Sequence, residues 1–488
     1  MIDFTINEEQ LRRTLQRAKE RNIIIPTFAE MQNPELIPAK IKDKLKNIGL
    51  WDVNSYNLFR ITWKNQPIKE GGLFNGVNFL ELPPQLTGVP ARIIGLVGKW
   101  FPTGSHKVGA TFGCLVPRLI TGQFDPTFQK AVWPSTGNYC RGGAYNAELL
   151  SCESIAILPE GMSKERFDWL KQVAGEVIAT AGSESNVKEI FDKSWELLKT
   201  RDNVVVFNQF DEFGNYLWHY KITGSAVEEV LKQVMDSGDH YRGIVLTTGS
   251  AGTIASGDYL KKIYPESKIA AGEALQCPTL LANGYGAHRL EGIGDKHVPW
   301  IHNMKNTDMI IAIDDNNAMG LIRLFNEPEG QDYLKSIGIS DSIIEQLPLL
   351  GISSAANLLM AIKFAKYYEL IEKDIVFTVF TDSMELYGSR LKELEEESGP
   401  YSRTAAALDY HCHIKAITTD YMQELNYNDR KRIHNLKYFT WIEQQGKDLD
   451  ELNAQWYDYD NYWGSIPAQA DKIDALISQF NEKTGLLK

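Results

Sequence analysis

From about residue 93 to residue 380, short β-branched runs alternate with longer amphipathic ones, and that alternation leaves few folds open. The runs 93–97, 154–158, 177–180, 204–207, 268–271, 309–313 and 375–380 read as strands. Between them 164–173, 186–198, 223–235, 254–264 and 355–367 read as helices. A helix between consecutive strands is the connection parallel pairing requires, so the pattern predicts an α/β architecture with helices on both faces of parallel sheets. No repeat or low-complexity linker interrupts it, and the 488 residues suffice for two or three packed lobes.

Three strand ends run into turns of small residues. After 93–97 comes Pro102-Thr103-Gly104-Ser105-His106-Lys107-Val108-Gly109-Ala110. Most lysines are solvated surface charges, but one held among small residues at a strand-to-helix junction can lose its proton and form an imine with a carbonyl. The second segment is Val132-Trp133-Pro134-Ser135-Thr136-Gly137-Asn138, with a helix expected from about Tyr139 that carries Arg141-Gly142-Gly143-Ala144 in its first turns. Hydroxyls and free N–H groups at a helix start suit a carboxylate, although the same residues also make an ordinary N-cap. The third is a β-branched run into Gly249-Ser250-Ala251-Gly252-Thr253 and a helix, a backbone cradle for phosphate. No Lys-Ser/Thr pair follows the glycines and the spacing is not G-x-G-x-x-G, so this is neither a P-loop nor a dinucleotide fingerprint.

Together these segments resemble the fold-type II pyridoxal-phosphate enzymes, closest to the O-acetylserine sulfhydrylase (cysteine synthase) and cystathionine β-synthase branch, over roughly residues 75 to 392. Thr103-Gly104-Ser105-His106-Lys107 is similar to the family's Schiff-base segment, Ser135-Thr136-Gly137-Asn138 to its substrate-carboxylate loop and Gly249 to Thr253 to its phosphate loop. Asn208-Gln209-Phe210 with Asn215, His219 and Thr223-Gly224 resembles a segment whose glutamine contacts substrate. Glu291-Gly292-Ile293-Gly294 resembles the glycine loop beside the cofactor, and Gly351-Ile352-Ser353-Ser354 the segment whose first serine bonds the pyridine nitrogen.

The resemblance implies a tryptophan synthase β-like fold of two parallel-sheet lobes, with pyridoxal 5'-phosphate as cofactor and a small amino acid as substrate. Lys107 would hold the cofactor and serve as base. Gly249, Ser250, Ala251, Gly252 and Thr253 would take the phosphate, Asn138 the ring hydroxyl and Ser353 the ring nitrogen. Ser135, Thr136, Asn138, Tyr139, Gln209 and Gly292 would face the substrate. A neutral serine at the ring nitrogen suits expulsion of a β-leaving group over transamination, so β-replacement or β-elimination through an aminoacrylate is expected. Tyr139 stands where the sulfhydrylase pattern has threonine, which predicts a changed wall at the substrate side chain. Threonine or serine dehydratase activity is the enzymatic alternative, and a catalytically retired scaffold is the alternative of another class. Indole chemistry is disfavoured because the Ser135 loop lacks the glutamate of tryptophan synthase β chains.

The lobes are expected at 75–104 with 221–391 (large, cofactor-binding) and at 105–220 (small). An N-terminal arm, 1–74, holds Leu11, Leu15 and Ala18 at helical spacing. The extension 392–488 is rich in aromatics, among them Trp441, Trp456, Tyr462 and Trp463, expected to pack on the chain's own core or across a homodimer boundary. A net charge of −12 argues against nucleic acid. No run reaches membrane-spanning length, and the first residues lack a basic and apolar leader. Five scattered cysteines without C-x-x-C spacing fit a reduced cytoplasmic protein. No metal site is expected: His411-Cys412-His413 has no second ligand cluster.

Overall fold

The alternation folds into two sheets in a computed structural model that describes residues 1–135, 137–182, 186–294 and 296–487. The strands in chain order are β1 (Phe79–Leu82), β2 (Arg92–Val97), β3 (Lys130–Pro134), β4 (Glu153–Pro159), β5 (Glu176–Thr180), β6 (Val204–Val206), β7 (His240–Thr247), β8 (Lys268–Ala274), β9 (Met309–Ile313), β10 (Asp374–Phe380) and β11 (Met422–Glu424). The larger sheet runs β1-β2-β10-β7-β8-β9-β11 and the smaller β5-β4-β3-β6. Neighbours from β2 to β9 are parallel, and the antiparallel pairs β1–β2 and β9–β11 close the edges. The small sheet is parallel throughout.

Burial explains the composition. Every residue of β10 is buried, as a central strand covered by helices on both faces demands, and it reads as an unbroken apolar run but for Asp374 and Thr378. The edge strands β1 and β11 were not anticipated. Each is three or four residues long and half-exposed, so neither carries a strong pattern. Most helices fall where the spacing places them. The exception that matters is Ile352–Tyr367, which starts three residues earlier than its apolar pattern and takes Ser353 into its first turn.

Two glycines set the helix packing that builds the site. A Cβ on Gly113 would lie 2.3 Å from the carbonyl oxygen of Gly214, and one on Gly214 would lie 2.1 Å from that of Gly113. Helices Lys107–Thr121 and Phe213–Trp218 therefore touch backbone to backbone, which draws Gln209 and Asn215 up to Lys107.

The two chain ends pack on this frame and on each other. Asn481, in the final helix Tyr459–Thr484, accepts from Ile25 N at 3.1 Å and donates to Ile25 O at 2.7 Å. Asp474 accepts from Phe28 N and Ala29 N at 2.6 and 3.0 Å. The extension's aromatics fill the chain's own core: Trp441 is fully buried and donates to Val298 O at 2.8 Å. Buried Lys437 beside it donates to Trp300 O, His302 O and Gln455 Oε1 at 2.7–2.8 Å. Among the described residues no single helix is long and apolar enough to cross a membrane.

Candidate active site

Lys107 is the first residue of its helix. Just before it, Thr103 (φ 67°) and Gly104 (φ 69°) take left-handed backbone conformations, and across the cavity so does Ala251 (φ 60°). Left-handed non-glycine residues are costly, and they cluster where a site needs a fixed shape.

The Lys107 amine stands between two loops. Nζ donates to Ser250 Oγ at 3.1 Å and to Gln209 Oε1 at 3.4 Å. Ser250 Oγ also accepts from Asn215 Nδ2 at 3.0 Å and from Gly252 N at 3.4 Å. Gln209 Nε2 donates to Ser135 Oγ at 3.3 Å, and Gly137 N donates to the same oxygen at 3.3 Å. A continuous polar chain thus runs from the Ser135 loop through the amine to the Ser250 loop. Both loops leave a parallel strand and open a helix, Asn138–Leu149 and Ile254–Lys261 respectively, and neither helix has a side-chain cap. In helix Ile254–Lys261 the first N–H groups turn back on the carbonyls of Ala251, Gly252 and Thr253, so an anion there would be met by the preceding turn.

The structure gathers Lys107, Ser135, Asn138, Tyr139, Gln209, Gly249, Ser250, Ala251, Thr253 and Gly292 around one cavity. Thr136 lies outside the described residues. Gly252 is set back, its Cβ position filled by Asn215 Oδ1 at 2.1 Å. Ser353 is buried in the first turn of its helix, and Asn357 of the same helix lines the cavity with Val379 and Thr381. Tyr139 borders the cavity, while its hydroxyl runs into the core to Cys114 Sγ at 3.5 Å and its ring packs edge-on against Trp133. The first turn of the helix turns this side chain inward, toward the large apolar partners that cover it.

Around these residues lie contacts that the sequence reading did not assign, and Thr381, Asp382, Tyr387, Arg166 and Arg390 escaped it altogether. His106 stacks edge-on against His219 at 4.9 Å and bonds Thr381 Oγ1 at 3.3 Å. Burial first, then the neighbouring Lys107 charge, holds the His106 ring well below the usual imidazole range; burial, His106 and Lys107 do the same for His219. Asn138 Nδ2 donates to Asp382 Oδ2 at 2.5 Å, and Tyr387 donates to the same oxygen at 2.7 Å. Behind Tyr387, buried Arg166 pairs with buried Glu291 at 2.5 Å, and Arg390 meets that carboxylate at 2.6 Å. Thr381 and Asp382 directly follow β10. A polar pair at the C-terminal end of a buried parallel strand was the signal that could have found them.

Comparison with known proteins agrees with this geometry. A family profile described as pyridoxal-phosphate dependent enzyme matches residues 101–339. Cysteine synthase from Staphylococcus aureus is 31% identical over 287 residues, spanning 59% of this chain and 84% of that protein. This chain belongs to the pyridoxal-phosphate-dependent enzyme family. Cystathionine β-synthase from Saccharomyces cerevisiae is 23% identical over 412 residues, 82% of this chain and 77% of the relative. Among solved structures, an O-acetylserine dependent cystathionine β-synthase from Helicobacter pylori has a TM-score of 0.54 at 23% identity, covering 63% of this chain and 94% of that one. The fold is that of the fold-type II pyridoxal-phosphate enzymes.

The cofactor of this enzyme is pyridoxal 5'-phosphate, and the residues present fit it. Lys107 offers the amine, the uncapped Gly249–Thr253 turn offers N–H groups for a phosphate, and Asn138 Oδ1 is buried with no hydrogen-bond partner among the described residues. An intact lysine and loop in a pyridoxal-phosphate enzyme set aside the retired-scaffold alternative.

Proposed function

We propose that this enzyme catalyses β-replacement or β-elimination on a small amino acid carrying a β-leaving group, of the serine, O-acetylserine or cysteine kind. The observation that carries the reading is the Lys107 amine, bonded on one side to the phosphate-type loop and on the other, through Gln209, to the carboxylate-type loop. The names of the curated relatives, cysteine synthase and cystathionine β-synthase, support it.

When bound, the cofactor supplies an electron sink for charge at the substrate Cα. The protein's own residues do the rest. Ser135, Gln209 and the N–H groups opening helix Asn138–Leu149 grip the substrate carboxylate, and that grip turns the Cα–H bond toward Lys107. Lys107 Nζ takes the Cα proton while the Cβ–leaving-group bond breaks; in replacement a nucleophile then bonds to Cβ and Lys107 returns the proton to Cα. His106 and His219, kept neutral, add no second positive charge beside the amine.

Incubation with O-acetylserine, with and without sulfide, tests the proposal. Cysteine formed only with sulfide supports replacement. Pyruvate and ammonia in both arms support elimination, and no turnover of O-acetylserine, serine or cysteine removes the substrate class.

A further inference from the structure

We infer that the C-terminal extension belongs to the substrate side of the site: Lys437 and Trp441 are positioning residues that hold the Gln209 segment beside Lys107. The inference rests on Gln209 meeting the substrate, as proposed above. Gln209 is tied from the inside, its carbonyl accepting from Asn215 Nδ2 at 3.0 Å. The two residues after it are tied from the outside. Phe210, which lines the cavity, accepts at its carbonyl from Ile301 N at 3.3 Å, and Asp211 pairs with Lys447 of the extension at 2.8 Å.

Ile301 lies in the stretch 297–302, which belongs to no helix or strand. The carbonyls of such a stretch need partners when buried, and the extension supplies them. Trp441 Nε1 donates to Val298 O at 2.8 Å, and Lys437 Nζ donates to Trp300 O and His302 O at 2.8 Å each. These last two carbonyls flank the Ile301 N–H that reaches Phe210. Side chains complete the clamp, for His297 packs edge-on against Phe210 at 4.7 Å and against Trp441 at 5.6 Å. The aromatics of the extension could fill a core without an amine among them. Lys437 is fully buried, and its third acceptor is the neutral Gln455 Oε1 at 2.7 Å. Burial pulls this amine well below the usual lysine range, so it is a costly group to keep there. Even the neutral amine has two protons, enough for both carbonyls. Fixing the backbone around Ile301 is a task that an apolar side chain could not perform.

Lys437→Met keeps most of the stem and removes the donors. Hydrogen–deuterium exchange is followed in the peptide 207–213, and substrate KM and the dissociation constant of pyridoxal 5'-phosphate are measured on the same protein. Exchange at 207–213 is expected to quicken by about tenfold or more and KM for O-acetylserine to rise on the order of tenfold, while cofactor affinity changes by less than about twofold. Asn481→Ala loosens the same extension at its tie to Ile25, and is expected to leave exchange at 207–213 and KM as in wild type. In a Gln209→Ala background, Lys437→Met is expected to add less than about twofold to KM, because the side chain it positions is gone. Should the methionine variant not fold, Trp441→Phe, which removes the donor to Val298 and keeps an aromatic ring, carries the same expectations. Wild-type exchange or KM in the variant, the same changes in Asn481→Ala, or an undiminished loss in the Gln209→Ala background would each overturn the inference. The exchange comparison uses no substrate, so it decides the inference by itself if O-acetylserine is not turned over.

Discussion

The two loops that face the cavity share a design and differ in what stands behind them. Each leaves a parallel strand, turns on small residues and opens an uncapped helix. The Gly249–Thr253 loop is backed by neutral groups: Ser250 by Asn215, and Asn215 by the carbonyl of Gln209 at 3.0 Å. The Ser135–Asn138 loop is backed by charge, through Asp382, Arg166 and Glu291, and a Cβ on Gly137 would lie 2.4 Å from Arg166 Nη1. A phosphate asks only for converging N–H groups, which a turn of small residues supplies by itself. The Asn138 side chain is held differently, by a buried carboxyl that a tyrosine and an arginine behind it also engage, and such charge-assisted bonds fix a side chain by direction.

The largest test removes the group both loops share. Lys107→Ala is expected to lower kcat/KM by about 10⁴-fold or more with the fold intact, since cofactor anchor and base disappear together. Activity within tenfold of wild type, measured with O-acetylserine and sulfide, would discredit the assignment. The next pair of variants separates the loops. Ser250→Ala is expected to weaken cofactor binding by about tenfold with substrate KM little changed, and Ser135→Ala to raise substrate KM by a similar factor with cofactor affinity little changed. Equal effects of both variants on both constants would mean the loops are not specialised.

A third test asks how far the site depends on the C-terminal extension. His297 packs edge-on against Phe210, the neighbour of Gln209, and against Trp441 of the extension. Burial pushes its ring down to about 3. The unfolded chain, with an ordinary imidazole near 6.5, therefore binds the proton first as the pH falls. Stability from this group is complete above about 6.5 and is lost as the pH drops toward 3, at roughly 1.4 kcal/mol per pH unit. His297→Phe should reduce the stability lost between pH 7 and pH 5 by about 2 kcal/mol, read from unfolding curves at the two pH values. The smallest effect is expected at Tyr139. Tyr139→Phe removes only a 3.5 Å contact to a thiol, so stability should fall by about 1 kcal/mol or less, with unchanged preference among O-acetylserine, serine and threonine. A changed preference would mean that the hydroxyl itself helps set the substrate side of the cavity.

Much of the site was legible because its loops are local. A strand end, a few small residues and a helix start lie within ten residues of one another, and their chemistry follows from backbone N–H groups and one lysine. Asn215 and His219 were visible only as parts of a resemblance, because a buried amide and a buried histidine look alike in sequence whether they serve a site or a core. The helix that carries Ser353 illustrates the limit: its apolar pattern begins at residue 355, but the structure starts it at Ile352, because helix ends are set by local contacts more than by pattern.

The sequence by itself determined the α/β alternation, the two anion-type loops and the lysine between them, since periodicity and turn chemistry act over short stretches of chain. Tertiary structure alone decided the rest. Contact between Gly113 and Gly214 brought Gln209 to Lys107, the end of β10 delivered Asp382 to Asn138 across 244 positions, and the extension found its place on the chain's own core. The physical reason is that such partners are chosen by packing and by the need to satisfy buried polar groups, and neither leaves a mark in local pattern.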